Sequence, residues 1–319
     1  MHTDIYFSSV LMAFLAVAGG LTMLVSGGEA LVAGATRLAR RLGMTPLAIG
    51  LTVVAFGTSV PELSVSLNAA FQGHPDIMIG NVVGSNIANI GLILGCCALL
   101  APLHLTMREV WFELLLVVAG SVLLMFCSGY GLFPRSMGIL FILTLVSYTL
   151  FVCRTTINGN GDNSGETLRR PSMALPLVLL LIAGGLVLLS VGSSLFIRGA
   201  VDIARFFRVS ELVIGLTLAA VGTSLPELAS SLAALRHRQS GLLIGNVIGS
   251  NMFNLFMVLG LTGAIRPFAL SGELLRRDLP VMLAFTLILI PVLHRNGGTR
   301  RRHGVLFLGA YAAYCLSLI

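Results

Sequence analysis

The chain has 319 residues, 56% of them hydrophobic and only 10% charged, with a mean hydropathy of +0.96. A soluble domain is closer to a quarter charged, so this composition excludes an ordinary soluble fold. The formal charge of +7 comes from 20 arginines and no lysine against 13 acidic residues. In so apolar a chain it is the signature of basic loops beside a membrane, not of a nucleic-acid partner.

Ten apolar segments follow in order, at roughly 8–28, 46–70, 77–100, 110–128, 134–153, 174–196, 210–235, 241–264, 279–294 and 304–318. Most have the length of a bilayer-spanning helix. They predict an all-α integral membrane protein of ten transmembrane helices. The first segment does not read as a signal peptide, because its leader "MHTD" lacks basic residues and no small-residue cleavage site ends it. Between the fifth and sixth segments lies the polar stretch "RTTINGNGDNSGETLRRPS". The expected organisation is therefore a first half, 1–153, a cytoplasmic linker, 154–173, and a second half, 174–319. "NGNGDN" resembles a calcium loop only in composition: Asn163 stands where the turn glycine belongs and Arg169 where the bidentate glutamate belongs.

With the N-terminus outside, inner loops hold 13 arginines and outer loops 7, the bias lying in the first half. This predicts both termini outside. Arg40 and Arg205 occupy equivalent places in the two halves; the loop rule explains Arg40 and leaves Arg205 without a role. The five cysteines, Cys96, Cys97, Cys127, Cys153 and Cys315, form no C-x-x-C pair and read as small buried hydrophobes.

An internal repeat organises the chain. A gapless shift of 165 residues lays 47–95 on 212–260, with 25 of 49 positions identical. "LAIGLTVVAFGTSVPEL" meets "LVIGLTLAAVGTSLPEL", and "IGNVVGSNIANIGLILG" meets "IGNVIGSNMFNLFMVLG". Each half has five segments, an odd number, so the second enters the membrane in the opposite sense. Inverted repeats of this kind place a transport site where the halves meet, near the midplane.

In "GTSVPEL", Ser59 precedes Glu62 by three residues, a capping-box spacing, with Pro61 in the first turn of the new helix and Gly57 permitting the break. Gly222, Ser224, Pro226 and Glu227 repeat the pattern. The segments therefore read as helices broken inside the membrane, where freed backbone groups must face protein or a polar cavity. Glu62 and Glu227 exceed what a cap requires, because glutamine would serve without a charge. An intramembrane carboxylate costs at least about 2.5 kcal/mol unless something neutralises it, and no arginine lies in either segment.

In the second motif, Gly80, Gly84, Gly245 and Gly249 have small-xxx-small spacing and read as helix-packing positions. Ser85 and Asn89 share one helix face, as do Ser250 and Asn254, and read as pocket lining. For Asn81, Asn86, Asn246 and Asn251, helix-break hydrogen bonding and ion contact both stay open. The converging donors are all oxygens, without cysteine or histidine, which suits Na⁺, Ca²⁺ or Mg²⁺ rather than zinc or copper. An adaptable broken backbone favours Ca²⁺ over Mg²⁺.

The paired "GTS-x-PE" and "GN-x-x-GSN" motifs in two inverted halves resemble the Na⁺/Ca²⁺ exchanger family of the cation/Ca²⁺ antiporter superfamily, over essentially the whole chain. The resemblance implies Glu62 and Glu227 as central ligands for both ions. It implies oxygens from Thr58, Ser59, Thr223 and Ser224, and backbone carbonyls from Ala55 and Ala220. Ser85 and Ser250 would serve outer Na⁺ positions, with Asn89 and Asn254 beside the central one. Some members, including the potassium-dependent branch, carry Asp where Asn254 stands, and its absence disfavours potassium coupling and leaves only two acids at the site. Proton-coupled relatives carry an acid where "GSN" stands, and its absence favours Na⁺ over H⁺. The short linker leaves no room for the Ca²⁺-sensing domains of animal relatives.

The resulting expectation is a prokaryotic-type antiporter, not an enzyme, in the plasma membrane (the inner membrane of a bacterium). It would be monomeric and need no cofactor beyond its transported Na⁺ and Ca²⁺. An H⁺/Ca²⁺ or other cation antiporter of the same superfamily and a passive cation channel are the alternatives. An intramembrane hydrolase is disfavoured because the six histidines lie in loops or at segment ends.

Overall fold

Apolar runs punctuated by Ser, Thr, Pro and Gly become helices with recognisable ends. In the computed structural model, which describes residues 6–7, 9–104, 107–158, 173–209, 222–270, 272, 274–296 and 298–318, helix α1 spans Val10–Leu42. It starts at Ser9, whose hydroxyl accepts the Met12 N–H, and stops at Gly43 in the left-handed region, φ 66°. Thr45 caps α2 (Pro46–Thr58) through the Ala48 N–H at 3.1 Å. Helix α3 (Val60–Gln72) is bent from α2 by 42°. Then come α4 (Pro75–Leu100), α5 (Met107–Gly129), α6 (Arg135–Asn158) and α7 (Leu175–Phe206). The second half continues with α8 (Leu225–Arg236), α9 (Ser240–Ile265), α10 (Leu279–Asn296) and α11 (Arg301–Ser317).

Among the described residues, seven helices are long and apolar enough to cross a membrane, eight if the bent α2–α3 pair is one span. Their burial sorts them into layers. The apolar window of α9 is 100% buried and that of α4 78%, against 28% for α1, α6 and α7. The two helices carrying the second motif therefore form the centre. The outer helices turn large apolar side chains such as Leu11, Leu15, Leu143 and Leu180 outward, the expected surface toward lipid.

Helices α1 and α7 run beyond the predicted segments, which ended at 28 and 196. The physical reason is a glycine seam. A Cβ on Gly20 would meet Gly192 O at 2.7 Å, one on Gly27 would meet Gly185 O at 2.8 Å, and one on Gly199 would meet Ala13 O at 2.7 Å. Gly20, Gly27 and Gly34 on α1 and Gly185, Gly192 and Gly199 on α7 repeat every seven residues. The missing side chains let the backbones touch, which gains dispersion contacts where no hydrophobic drive exists between helices in lipid. Gly28 packs likewise against Ala229 O of α8, at 2.8 Å. The weakly apolar "SGGE" at 26–29 thus continues a helix where hydropathy suggests an end.

Short ladders tie the halves together through their loops. Strand β1 (Leu103–His104) pairs antiparallel with β4 (Gly298–Thr299), and β2 (Leu132–Phe133) with β3 (Phe268–Ala269). Both join a strand of residues 1–153 to one of residues 174–319. Asp202, fully buried on α7, accepts the Phe7 N–H at 2.7 Å and lies 3.9 Å from Arg205. Arg205 is thus placed at the edge of ion-pair distance from Asp202, which its sequence position alone did not suggest. Helix α6 continues five residues past 153, and 159–172 of the predicted linker lie outside the described residues.

The seam yields a prediction. Gly27→Val puts atoms where Gly185 O and Leu189 N already sit, within 2.9 Å of the new Cβ. It should cost about 1–3 kcal/mol or more, as overpacking does, and lower the thermal unfolding midpoint in detergent. Gly184→Ala, with no atom of the described residues within 4 Å, should leave that midpoint unchanged or raise it. Equal effects would remove the seam as an explanation.

Candidate cation-binding site

Pro61 has no N–H to donate to the carbonyl four residues back, so the ladder of α2 cannot continue unbroken into α3. Ser59 sits at the junction with φ −83° and ψ 1°. Pro226 does the same for Gly222, and there the freed carbonyl accepts the Ser193 hydroxyl of α7 at 2.8 Å. Ser224 has nearly the same backbone, φ −88° and ψ 5°.

The capping box expected here does not form. Ser59 and Ser224 occupy N-cap positions, but neither hydroxyl makes a hydrogen bond, and neither Glu62 nor Glu227 returns its side chain to the cap amide. With ψ near zero the chain passes the junction as a tight turn rather than in the extended conformation that aims a capping hydroxyl at the N3 amide. The expected role of Gly57 also changes. It lies inside the helical segment Ala55–Thr58, and its lack of Cβ admits Leu186, whose Cδ1 would lie 2.5 Å from one. Gly222 admits Ile197 of α7 in the same manner.

Glu62 and Glu227 are fully buried and lie within each other's electrostatic reach; their carboxylate oxygens make no well-formed hydrogen bond, and the Thr58 hydroxyl is the donor beside Glu227. Around them, Ser59, Ser224 and Asn254 have polar atoms equally buried and unpartnered, as does Oδ1 of Asn89. An unsatisfied buried polar group costs about 1–3 kcal/mol, and an unpaired buried charge several. Concentrating so many in one place is stable only if something supplies positive charge. Among the described residues no group of three or more His, Cys, Asp or Glu assembles. The donors are two carboxylates surrounded by hydroxyls and amides, a set suited to a hard cation.

Two further asparagines lock the breaks to each other. Asn81 Nδ2 donates to Glu62 O at 3.2 Å and to Ser66 Oγ at 2.9 Å, and its Oδ1 accepts the Thr223 hydroxyl at 3.2 Å. Asn246 Nδ2 donates to Glu227 O at 3.4 Å and to Ser230 and Ser231 Oγ at 3.0 Å each, and its Oδ1 accepts the Thr58 hydroxyl at 3.2 Å. Ser85 lies 3.5 Å from the Thr223 hydroxyl and Ser250 3.4 Å from that of Thr58. Every one of these bonds has its counterpart 165 residues on, except the extra bond to Ser230, where the first half has Val65.

The predicted residues thus fall into place unevenly. Thr58, Ser59, Glu62, Ser85, Asn89, Thr223, Ser224, Glu227, Ser250 and Asn254 are gathered by α2, α3, α4, α8 and α9. Ala55 O accepts the Ser59 N–H at 3.1 Å and the Thr58 hydroxyl at 3.5 Å, while Ala220 lies outside the described residues. Gly245 and Gly249 are packing positions: a Cβ there would meet Leu47 O at 2.5 Å and Ala55 Cβ at 2.6 Å. No atom of the described residues lies that close to Gly80 or Gly84; their counterparts to Leu47 and Leu51, residues 212 and 216, are not described. The second motif breaks neither α4 nor α9. It stays helical and widens into π turns at Asn89–Leu94 and Phe253–Leu259, a local form common at functional sites. Asn251 resolves to structural bonding: its Oδ1 accepts from Asn89 Nδ2 at 2.9 Å, and its Nδ2 donates to Asn86 O at 3.4 Å. The Asn86 side chain itself reaches only Met282 Sδ, at 3.6 Å, and its Oδ1 is buried without a partner. The residues the motif reading missed are Ser66 and Ser231. Their signal was present, since each repeats four positions after its glutamate.

A sequence model described as sodium/calcium exchanger protein matches residues 12–154 and again 177–319. The chain is 31% identical over 345 residues to the sodium/calcium exchanger MaX1 of Methanosarcina acetivorans, covering 96% of this chain and 98% of the relative. It is 36% identical over 322 residues to the inner membrane protein YrbG of Escherichia coli, covering 97% of each. Its structure is similar to the sodium-calcium exchanger NCX_Mj soaked with 10 mM Na⁺ and 10 mM Sr²⁺, with a TM-score of 0.81, 32% identity and coverage of 98% of this chain and 100% of that one.

The unpartnered carboxylates predict a stability inversion. In chelator, Glu62→Gln should raise the thermal unfolding midpoint, because it removes a buried charge. Ca²⁺ at millimolar concentration should stabilise the original protein but not the variant. A variant less stable in chelator yet still stabilised by Ca²⁺ would show that Glu62 serves the fold instead.

Proposed function

The chain belongs to the sodium/calcium exchanger family, and from that premise we propose that its two buried glutamates hold Na⁺ and Ca²⁺ in turn. The protein exchanges Na⁺ for Ca²⁺ across a membrane. The observation carrying the proposed site is the set of four carboxylate oxygens, fully buried and unpartnered at two proline breaks. Thr58, Ser59, Thr223 and Ser224 add hydroxyl oxygens, Ala55 and Ala220 carbonyls, Ser85 and Ser250 outer Na⁺ contacts, and Asn89 and Asn254 contacts beside the centre.

The same two carboxylates cannot serve both ions together, so occupancy is exclusive. Without an ion they carry two charges in a poor dielectric, which opposes crossing unloaded and enforces coupling. The family resemblance implies about three Na⁺ per Ca²⁺; at that ratio one net charge crosses and the exchange responds to voltage. Inward Na⁺ then drives Ca²⁺ out by alternating access.

The architecture we propose is ten crossings in two inverted five-helix halves. The 165-residue repeat and the double family match support it. So do the loop ladders. In a ten-crossing path, the loops of β1 and β4 fall on one side of the membrane and those of β2 and β3 on the other, and these are the pairs that form. Basic-residue placement favours both termini outside, and the likeness to an inner membrane protein of Escherichia coli supports a bacterial inner membrane.

The test is Ca²⁺ uptake by purified protein in Na⁺-loaded liposomes diluted into Na⁺-free buffer. Uptake should require internal Na⁺ and fall at least about a hundredfold in Glu62→Gln or Glu227→Gln, as loss of buried charged ligands worth a few kcal/mol implies. Uptake that follows a pH gradient alone would transfer the coupling to H⁺. Uptake with no opposing gradient would make the protein a channel.

A further inference from the structure

Asn81 and Asn246 lie at the centre of the site without belonging to the set of unpartnered donors. Every polar atom of Asn81 is engaged. Its two Nδ2 hydrogens reach Glu62 O and Ser66 Oγ, and its Oδ1 takes the Thr223 hydroxyl. Because Glu62 O is a carbonyl and accepts only, the orientation of the amide is determined: nitrogen toward Glu62, oxygen toward Thr223. An acceptor facing a hydroxyl obliges that hydroxyl to donate. The Thr223 proton therefore points at Asn81.

This has a consequence for the neighbouring oxygens. Ser85 Oγ lies 3.5 Å from Thr223 Oγ1. With the Thr223 proton committed to Asn81, Ser85 is the donor in that contact. The order of donation runs from Ser85 to Thr223 to Asn81 to the carbonyl of Glu62, crossing from one half to the other and back. Both hydroxyl protons are thus turned along the chain, which leaves lone pairs on Ser85 and Thr223 for a cation. The second half repeats the order as Ser250, Thr58, Asn246 and Glu227 O, with Ser230 and Ser231 holding the amide. In that half Asn246 Oδ1 accepts the Thr58 hydroxyl at 3.2 Å in competition with Ala55 O at 3.5 Å and with the Glu227 carboxylate beside it.

We propose that Asn81 and Asn246 are positioning residues: each fixes the proton direction of the hydroxyl ligands, and each acts on the threonine of the opposite half. A hydroxyl free to rotate spends part of its time presenting its proton to the cation, and ordering it on binding weakens affinity. The two asparagines remove that freedom before the ion arrives. The inference rests on the reading of Thr58, Thr223, Ser85 and Ser250 as cation ligands. It adds the residues that make their oxygens acceptors, and it makes the ligand geometry of each half depend on the other.

The test is a double-mutant cycle on Ca²⁺ binding, read by titration calorimetry of the purified full chain in detergent. Asn81→Leu should weaken the Ca²⁺ dissociation constant about tenfold. Thr223→Val should weaken it similarly. Because Asn81 acts through Thr223, the double variant should match Thr223→Val within about twofold, where independent sites would multiply. Multiplied effects overturn the proposal. So does a variant with a lower unfolding midpoint but unchanged affinity, which is the outcome for a purely structural asparagine. Should Asn81→Leu not fold, Ser66→Ala keeps Asn81 and Thr223 in place and loosens only the amide. It should weaken Ca²⁺ binding about threefold in the original background and not at all with Thr223→Val, and unchanged binding in both overturns the proposal. The cycle reads Ca²⁺ binding and not transport, so Na⁺ coupling is judged separately by the liposome assay. An original protein that binds no Ca²⁺ overturns both.

Discussion

Four carboxylate oxygens, on Glu62 and Glu227, are buried at the centre of an apolar bundle and make no well-formed hydrogen bond. Held without a counter-charge, such groups cost several kcal/mol each. Much of the surrounding architecture serves to keep them where they are. Pro61 and Pro226 stand in the first turns of α3 and α8, each followed there by its glutamate. Ser193 takes the carbonyl that Pro226 frees. Asn81 and Asn246 tie each glutamate's backbone to the threonine of the other half. The side-chain charge alone is left unanswered, and a cation is the chemically apt answer.

The layers around this centre differ in what holds them. Helices α4 and α9 are buried nearly all round and carry the polar network. Helices α1 and α7 pack on each other along glycines, backbone against backbone. In lipid the latter means of adhesion is available because it needs shape rather than the exclusion of water. The loop ladders β1–β4 and β2–β3 add backbone hydrogen bonds between the two halves. A centre rich in specific polar bonds is thus enclosed by helices whose contacts are mostly dispersive.

Some of this was legible in residue order and some was not. The break at Ser59–Pro61 was, because proline removes a donor wherever it stands. The capping box was not a sound inference. Its spacing was right, but a cap also requires an extended backbone at Ser59, and ψ there is near zero. The ends of α1 and α7 were misread because hydropathy treats glycine as weakly apolar and cannot register a partner helix that makes it useful. Ser66 and Ser231 repeated in register with their glutamates, yet nothing local distinguishes a serine that holds an amide from one that faces lipid. Arg205 was unexplained for a similar reason: Asp202, three residues before it, is buried beneath the chain at Phe7, and depth is not visible in spacing.

Composition, hydropathy and the 165-residue repeat were enough by themselves to determine a membrane protein of long apolar helices, with two intramembrane glutamates at helix breaks. These properties depend on local chemistry, on transfer energies and on proline's missing donor, and they need no knowledge of neighbours. Only the tertiary structure decided the roles of the asparagines. Asn81, Asn86, Asn246 and Asn251 are chemically identical and closely spaced, so sequence left bonding and ion contact equally open. Which atoms they meet depends on how two segments 165 residues apart are brought against each other. A hydrogen bond is a matter of angstroms, and distances between remote segments exist only once the chain is packed.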